Sequence, residues 1–199
     1  LGKSISVVMQ GLFLFYDTIK KNILVGYDID FDFDFGPDDD PEGFAGLSDR
    51  MTEASRDAHI HDFIAGMPGG YETTIGERGI GLSGGQKQRI SIARAIARDC
   101  GILILDDSTS ALDMETEHMV QESIEKRRGM TKIIIAHRVS AAKGADEIIY
   151  LSNGRIAERG THEELLEQKG RYHETWLIQQ DGFEERLEEG FGDISYDCK

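Results

Sequence analysis

Four short stretches of the sequence carry residue types that could act on a phosphorylated ligand. The first is Leu82-Ser83-Gly84-Gly85-Gln86. Adjacent glycines let a backbone approach a ligand closely. A helix start offers unpaired N–H groups and a partial positive charge, which suits a phosphate, and Ser83 adds a hydroxyl. Taken alone, this string reads better as a glycine turn with a capping serine. The second is Ile102-Leu103-Ile104-Leu105-Asp106-Asp107. Open α/β sheets bind ligands beyond the carboxyl ends of their strands, and two acids end this run. Asp106 suits a Mg²⁺ ion, held directly or through water. Asp107 stands where a group could orient or deprotonate a water. The competing local reading is a strand end whose acids cap the turn that Ser108, Thr109 and Ser110 begin. The third stretch is Ser110-Ala111-Leu112-Asp113. The fourth is His137, directly after an apolar run ending at Ala136. An imidazole there could donate to a phosphate oxygen, although a lone histidine is more often a partly exposed residue with a satisfied neighbour.

These residues need elements to position them. Ser83 and Gln86 form the Ser-x-x-Gln pair of a capping box, so a helix is expected to start at Ser83. Ile90, Ala93, Ile96 and Ala97 place one apolar stripe along it, and Gly101 is expected to end it. The runs Ile102–Leu105 and Ile133–Ala136 read as strands, with a helix from about Glu115 to Arg128 between them. Strand, helix and strand, with strands apolar on both faces, predict a parallel sheet covered by helices. Upstream, Ile5–Met9 reads as a strand ending at Gln10, and Phe13–Val25 as a loop followed by a short helix. Residues 28–50, rich in Asp, Gly and Pro, read as an insertion or loop. Met51–Ala65 reads as a helix that Pro68-Gly69-Gly70 breaks. Downstream, Asn153-Gly154 joins two strand candidates, Glu147–Leu151 and Arg155–Glu158, and is a strong hairpin signal. A helix from about His162 and an acidic tail close the chain, and no internal repeat is present.

Composition narrows the function classes. The chain has 199 residues and a net charge of −15. Nine acids and one base fall in residues 28–50, and seven acids and two bases in residues 181–199, so almost all of the excess sits in two local segments. No basic face remains for a nucleic acid. No apolar run approaches the roughly 18 residues of a membrane span. The chain carries no signal peptide and does not begin with Met, which leads to the expectation of a missing upstream part. Cys100 and Cys198 lack metal or disulfide spacing and read as reduced thiols in a cytosolic setting. The acidic run from Asp30 fails as an EF-hand, which needs Gly at position 6 and Glu at position 12. Phe35 and Pro41 stand there. His59 and His61 would not share a helix face, which excludes a metal pair.

Gln10, LSGGQ at 82–86, ILILDD at 102–107, SALD at 110–113 and His137 resemble the ABC ATPase family in their order and spacing. The resemblance covers about residues 1–180, interrupted by the acidic insertion. LSGGQKQR, an aspartate-ended strand and then SALD make a highly specific combination. Glu77-Arg78-Gly79 resembles the X-loop of exporters, and His59–Ile64 resembles the exporter helical subdomain. The family implies an α/β fold: a partial P-loop NTPase-like ABC ATPase domain, its mostly parallel sheet flanked by helices. A helical signature subdomain would span about residues 11–100, and an acidic tail residues 181–199.

The resemblance also assigns roles. Gln10 would be the Q-loop glutamine, sensing Mg²⁺ and the γ-phosphate and contacting the transmembrane coupling region. Ser83, Gly84, Gly85 and Gln86 would touch the γ-phosphate of ATP bound to a second cassette. Asp106 would be the Walker B aspartate and a Mg²⁺ ligand, Asp107 the catalytic base position, and His137 the switch histidine. Asp113, Glu77 and Arg78 would lie at the interface of the cassettes. The implied cofactors are ATP and Mg²⁺. The implied partners are a second nucleotide-binding domain, with a heterodimer favoured, and transmembrane domains at the cytoplasmic face of the cell membrane. Two other readings stay open: a degenerate cassette that completes a partner's ATP site, and a soluble ABC ATPase of DNA repair or translation. Glu77-Arg78-Gly79 and the lack of a basic face speak against the latter.

Two departures from the family pattern matter. No G-x-x-x-x-G-K-[ST] string, whose amides and Lys cradle phosphates, occurs in the 199 residues. Gly2-Lys3-Ser4 lacks a preceding glycine loop and is followed by a strand pattern. No aromatic A-loop for the adenine is identifiable. The expectation is a fragment that alone binds ATP poorly and does not hydrolyse it. The second departure is Asp107, where the family has Glu. Asp is one methylene shorter, and a displacement of about 1 Å can cost roughly 10²-fold in rate. In heterodimeric exporters, Asp here resembles the mark of a degenerate site.

Overall fold

A computed structural model describes residues 5–11, 13–25, 41–76 and 81–190 of the chain, which divides into two units, residues 1–135 and 136–199. In the first unit the described strands are β1 (Ile5–Val8), β2 (Asp17–Thr18), β3 (Thr74–Ile75), β4 (Ile102–Asp106) and β5 (Thr131–Ile135). The helices are α1 (Ile19–Leu24), α2 (Pro41–Asp57), α3 (His61–Ala65), α4 (Gly84–Ala97) and α5 (Met114–Lys126). A short 3-10 helix, Gly70–Glu72, precedes β3.

The uninterrupted apolar run at 102–105 becomes the central strand. β1, β4 and β5 pair in the order β1-β4-β5, parallel throughout. Parallel neighbours need long crossovers, which the helical segment between β1 and β4 and α5 between β4 and β5 supply. The expectation of a parallel sheet holds, but its two faces differ. Leu103 and Leu105 are buried with Val8 in a core that includes Ile90, Ile92 and Ile96 of α4. On the opposite face, Val7, Ile104 and Ile133 form one lateral row. There Val7 is 51% exposed, Ile133 46% and Ile135 50%. Among the described residues, the second face of the sheet is thus left partly open.

α4 is the axis of the unit, packing against α1, α2 and β1. Its capping box forms as predicted: Ser83 Oγ accepts from Gln86 N at 3.2 Å, and Gln86 Oε1 accepts from Ser83 N at 2.8 Å. The helix ends at Ala97 and not at Gly101. Asp99, with φ of 49°, makes the turn out of it, in a region that Asp tolerates better than most residues.

Residues 41–50, read from sequence as part of a loop, are helical and begin α2. The helix expected over Met51–Ala65 is two helices. α2 stops at Asp57, and His59 breaks the chain with φ of 51° before α3. His59 therefore sits in a turn. Its Nε2 lies 3.1 Å from Ser123 Oγ, while His61 Nδ1 lies 2.9 Å from Tyr71 Oη. The two imidazoles serve separate contacts, and burial pushes the Tyr71 phenol above its usual range. Residues 28–40 of the acidic insertion lie outside the described residues.

The second unit holds α6 (Val139–Ala142), β6 (Ile148–Ser152), β7 (Arg155–Gly160), α7 (His162–Gln168) and α8 (Arg171–Gly190). β6 and β7 form the predicted antiparallel hairpin. Asn153 and Gly154 both have positive φ, 51° and 72°, as a two-residue turn matched to strand twist requires. A capping box of Thr161 and Glu164 starts α7, and Lys169 in the left-handed region separates it from α8. The expected closing helix is thus two helices, and the backbone of the acidic tail is helical as far as Gly190. Val139, Ile148, Leu165 and Tyr172 form the small core.

Candidate functional site

The acids predicted to do chemistry stand at the carboxyl end of the central strand. Asp106 closes β4 in register with Ile135 of β5. Asp107 leaves the sheet with φ of 45°, its N–H donating to Ile135 O at 2.9 Å. This left-handed turn starts the loop 107–112. Gln10, just beyond β1, reaches the same place: its Nε2 donates to Asp107 Oδ2 at 3.1 Å. Parallel pairing of β1 with β4 explains the meeting, since it brings the ends of both strands to one edge of the sheet. The sequence separates these residues by 97 positions, and the sheet brings their side chains into contact.

A set of largely part-buried hydrogen bonds holds the segment after Gln10. Asn22 Oδ1 accepts from Phe15 N at 2.8 Å, and Asn22 Nδ2 donates to Phe15 O and Thr18 O, both at 3.0 Å. Arg94 of α4 donates to Asn22 O at 2.6 Å, Phe13 O at 2.9 Å and Asn22 Oδ1 at 3.0 Å. Its guanidinium lies 5.6 Å from the centre of the Phe15 ring. Burial pushes Arg94 down to about 10, which leaves it charged at neutral pH. Phe13, Phe15 and Tyr16 remain exposed beside this anchor. Neither Asn22 nor Arg94 carries a motif signal. Asn22 is one of three polar residues in the six of α1, and only the fold shows that it is the buried one.

The glycine-rich start of α4 docks on the loop 107–112. A Cβ on Gly85 would meet Ala111 O at 3.2 Å and Leu112 Cδ2 at 3.4 Å, and one on Gly84 would meet Ala111 Cβ at 3.5 Å. The glycines here permit a close approach of helix and loop. Gln88, one turn on, is 2% exposed. Its Oε1 accepts from Ala111 N at 2.9 Å, and its Nε2 donates to Ser110 Oγ at 3.4 Å. Ser110 Oγ in turn donates to Asp107 O at 3.0 Å. Arg89 donates to His59 O at 2.5 Å and Gly85 O at 3.4 Å. Burial lowers the Arg89 pKa, and the charge of Asp113 opposes that shift.

Asp113 is the N-cap of α5. Its Oδ1 accepts from Thr116 N at 2.9 Å and its Oδ2 from Thr116 Oγ1 at 2.8 Å. These bonds, with Arg89 contributing less, hold its carboxyl below the usual range. Thr109 Oγ1 donates to Glu117 Oε1 at 2.6 Å. His137 belongs to the second unit and is exposed there. Gln179 of α8 holds its backbone, donating to His137 O at 3.0 Å and accepting from Val139 N at 2.8 Å. Glu77, Arg78 and Gly79 lie outside the described residues, as does Gly2-Lys3-Ser4.

Within the first unit, then, Gln10, Asp106 and Asp107 share one strand-end edge, and Ser83–Gln86 begin the helix bound to the loop that leaves it. Among the described residues no group of three or more His, Cys, Asp or Glu side chains is placed to hold a metal. The donor set still fits Mg²⁺, an ion commonly bound through one or two carboxylates with the remaining positions left to phosphate oxygens and water. Asp106 and the amide oxygen of Gln10 are oxygen donors of the type such a set would need.

Comparison with known proteins gives concordant matches. The family described as ABC transporter matches residues 1–110. An ABC transporter ATP-binding protein of Bacillus subtilis, YknU, is 49% identical over 180 residues, covering 90% of this chain and 28% of that protein. The ATP-dependent lipid A-core flippase of Legionella pneumophila is 44% identical over 183 residues, covering 92% of this chain and 28% of its own length. Among solved structures, a bacterial Atm1-family ABC exporter with ATP bound is similar, with a TM-score of 0.77 and 38% identity. It matches over 89% of this chain and 29% of that one. The chain thus spans under a third of the length of each of these proteins.

Proposed function

Since the chain belongs to the ABC transporter family and has the α/β ABC ATPase fold, we propose that it is the ATP-binding engine of an exporter-type transporter. In this reading it works at the cytoplasmic face of a membrane, coupled to transmembrane domains. No helix among the described residues is long and apolar enough to cross a membrane itself. The exporter assignment draws on the flippase and the exporter that the chain is similar to. The observation that carries the nucleotide role is the 3.1 Å contact of Gln10 Nε2 with Asp107 Oδ2 beside Asp106. It gathers an amide and two carboxylates where α/β sheets bind ligands.

ATP would sit between two cassettes. The start of α4, with Ser83 and the amides of the first turn, would receive the γ-phosphate of ATP held by the partner cassette. Asp106 and Gln10 would hold Mg²⁺, which when bound neutralises charge on the phosphate oxygens. Asp107 would orient the attacking water, with Gln10 Nε2 fixing the carboxylate. Asp113 would stand at the seam of the cassettes. Closure on ATP and opening after hydrolysis would drive the transport cycle.

A shorter carboxylate at the base position favours a finer reading. The site that Asp107 serves holds ATP with slow turnover, while the intact LSGGQ serves a faster site on a different partner cassette. The test is Asp107→Glu in the complete transporter, with the reverse change at the partner's base. Expected are a rise in ATPase rate for the first and a collapse for the second. Rates unmoved by both changes would refute the assignment.

A further inference from the structure

We propose that Gln88 is a positioning residue that makes the signature helix and the carboxylate loop one rigid piece. This rests on the reading of Ser83–Gln86 and Asp107 as parts of two nucleotide sites. Gln88 is almost fully buried on α4, a setting in which a side-chain amide without partners is costly. Both of its ends are bonded to the same loop. Oε1 accepts from Ala111 N at 2.9 Å, and Nε2 reaches Ser110 Oγ at 3.4 Å. Ser110 Oγ passes the link to Asp107 O at 3.0 Å, on the residue whose left-handed φ aims its carboxylate at Gln10.

The contact is close as well as polar. Gly85 touches the loop at the same point, where a Cβ would come within 3.2 Å of Ala111 O. A buried amide bonded at both ends and a glycine contact leave little freedom between helix and loop. The start of α4 would face the partner's ATP, while Asp107 serves this chain's own. Any displacement of one must then carry the other, so Gln88 mechanically links the two sites across the seam. Residues acting as one unit show non-additive kinetics, which gives the proposal its test.

The experiment uses the complete transporter with its partner cassette and three variants: Gln88→Leu, Ser110→Ala and the double change. Ser110 is exposed, so its variant breaks the relay without touching the core. Expected for Gln88→Leu is a kcat lowered roughly 10-fold or more with KM for ATP within about twofold, a loss of positioning and not of binding. Hydrogen exchange at the Ala111 amide should rise in the same variant. Ser110→Ala should lower kcat less, and the double variant should be no slower than Gln88→Leu. A folded Gln88→Leu transporter with wild-type kcat overturns the proposal, as do single losses that multiply in the double variant. A wild-type transporter that hydrolyses no ATP overturns the functional reading, and this inference with it.

Discussion

At the scale of the residue, Asp107 joins two demands. Its carboxylate takes the Gln10 amide, and its backbone has φ of 45°, a region that Asp and Asn enter more readily than Glu does. Asp107→Glu is therefore expected to raise the ATPase rate of the complete transporter while lowering stability by about 1 kcal/mol, within the left-handed penalty of an ordinary L-residue. Denaturant melts of wild type and variant check the second half, and a variant as stable as wild type contradicts it. Asp113 makes a separate prediction. Its folded carboxyl is held below the usual value by the Thr116 bonds. Its contribution is then complete above the unfolded carboxylate pKa and lost as pH falls through the lowered one. Asp113→Asn keeps a good cap without the charge, so the acid-side fall of the melting temperature should flatten. Asp113→Ala should lower that temperature at neutral pH. The acids at 106 and 107 were legible because their type and their place after an apolar run both point to chemistry. Gln88 was missed, although a glutamine four residues before Ile92 on a buried face needs a partner. Only the fold shows that the partner is the loop at 110–111.

At the scale of the element, α4 shows why some of the structure is plain in the sequence. Its capping box, glycines and apolar stripe all specify the same helix, and it starts where they say. Ser83→Ala removes the bond to Gln86 N and is expected to cost about 1 kcal/mol. That corresponds to a melting shift of about 2–4 °C for a chain of this size. Gly85→Ala should act differently. Its methyl would press on Ala111 O, so the loop 107–112 should loosen, seen as faster hydrogen exchange there, even where the helix itself gains propensity. Exchange at 110–112 unchanged in that variant would contradict the close docking. α2 was harder to read. Pro41 suits the first helical position, where its missing N–H costs nothing. The acidic and glycine-rich surroundings concealed it, although Met51 and Ala54 then fall on the buried face. The turn at His59 has no local signal. Backbone bonds from His59 N to Arg56 O and from Ile60 N to Ser55 O, both 2.9 Å, close it, and Arg89 of another helix adds a bond to the His59 carbonyl.

At the scale of the whole molecule, the two faces of one sheet have opposite fates. Leu103, fully buried, should behave as an ordinary core residue, with Leu103→Ala costing roughly 2–5 kcal/mol. Across the sheet, Val7 on β1 and Ile133 and Ile135 on β5 are about half exposed, on the two strands that flank β4. The sequence wrote both faces in the same apolar residues, as buried parallel strands do, and so could not reveal that only one is covered within these residues. A contiguous exposed apolar patch favours association. Residues 1–199 expressed alone should therefore self-associate and bind a hydrophobic dye. Replacing Ile133 and Ile135 together with Thr keeps a β-branched side chain at each strand position and removes most of the apolar area. Sedimentation should then shift towards monomer and dye binding should fall, with circular dichroism unchanged. Association that persists in the double variant would mean that another surface drives it. Loss of structure in the variant would mean that these isoleucines pack in the isolated chain after all. In the complete transporter the same double change separates cover from exposure. A face covered there should make the variant unstable, because two hydroxyls would be buried without partners, whereas a face left open should tolerate it.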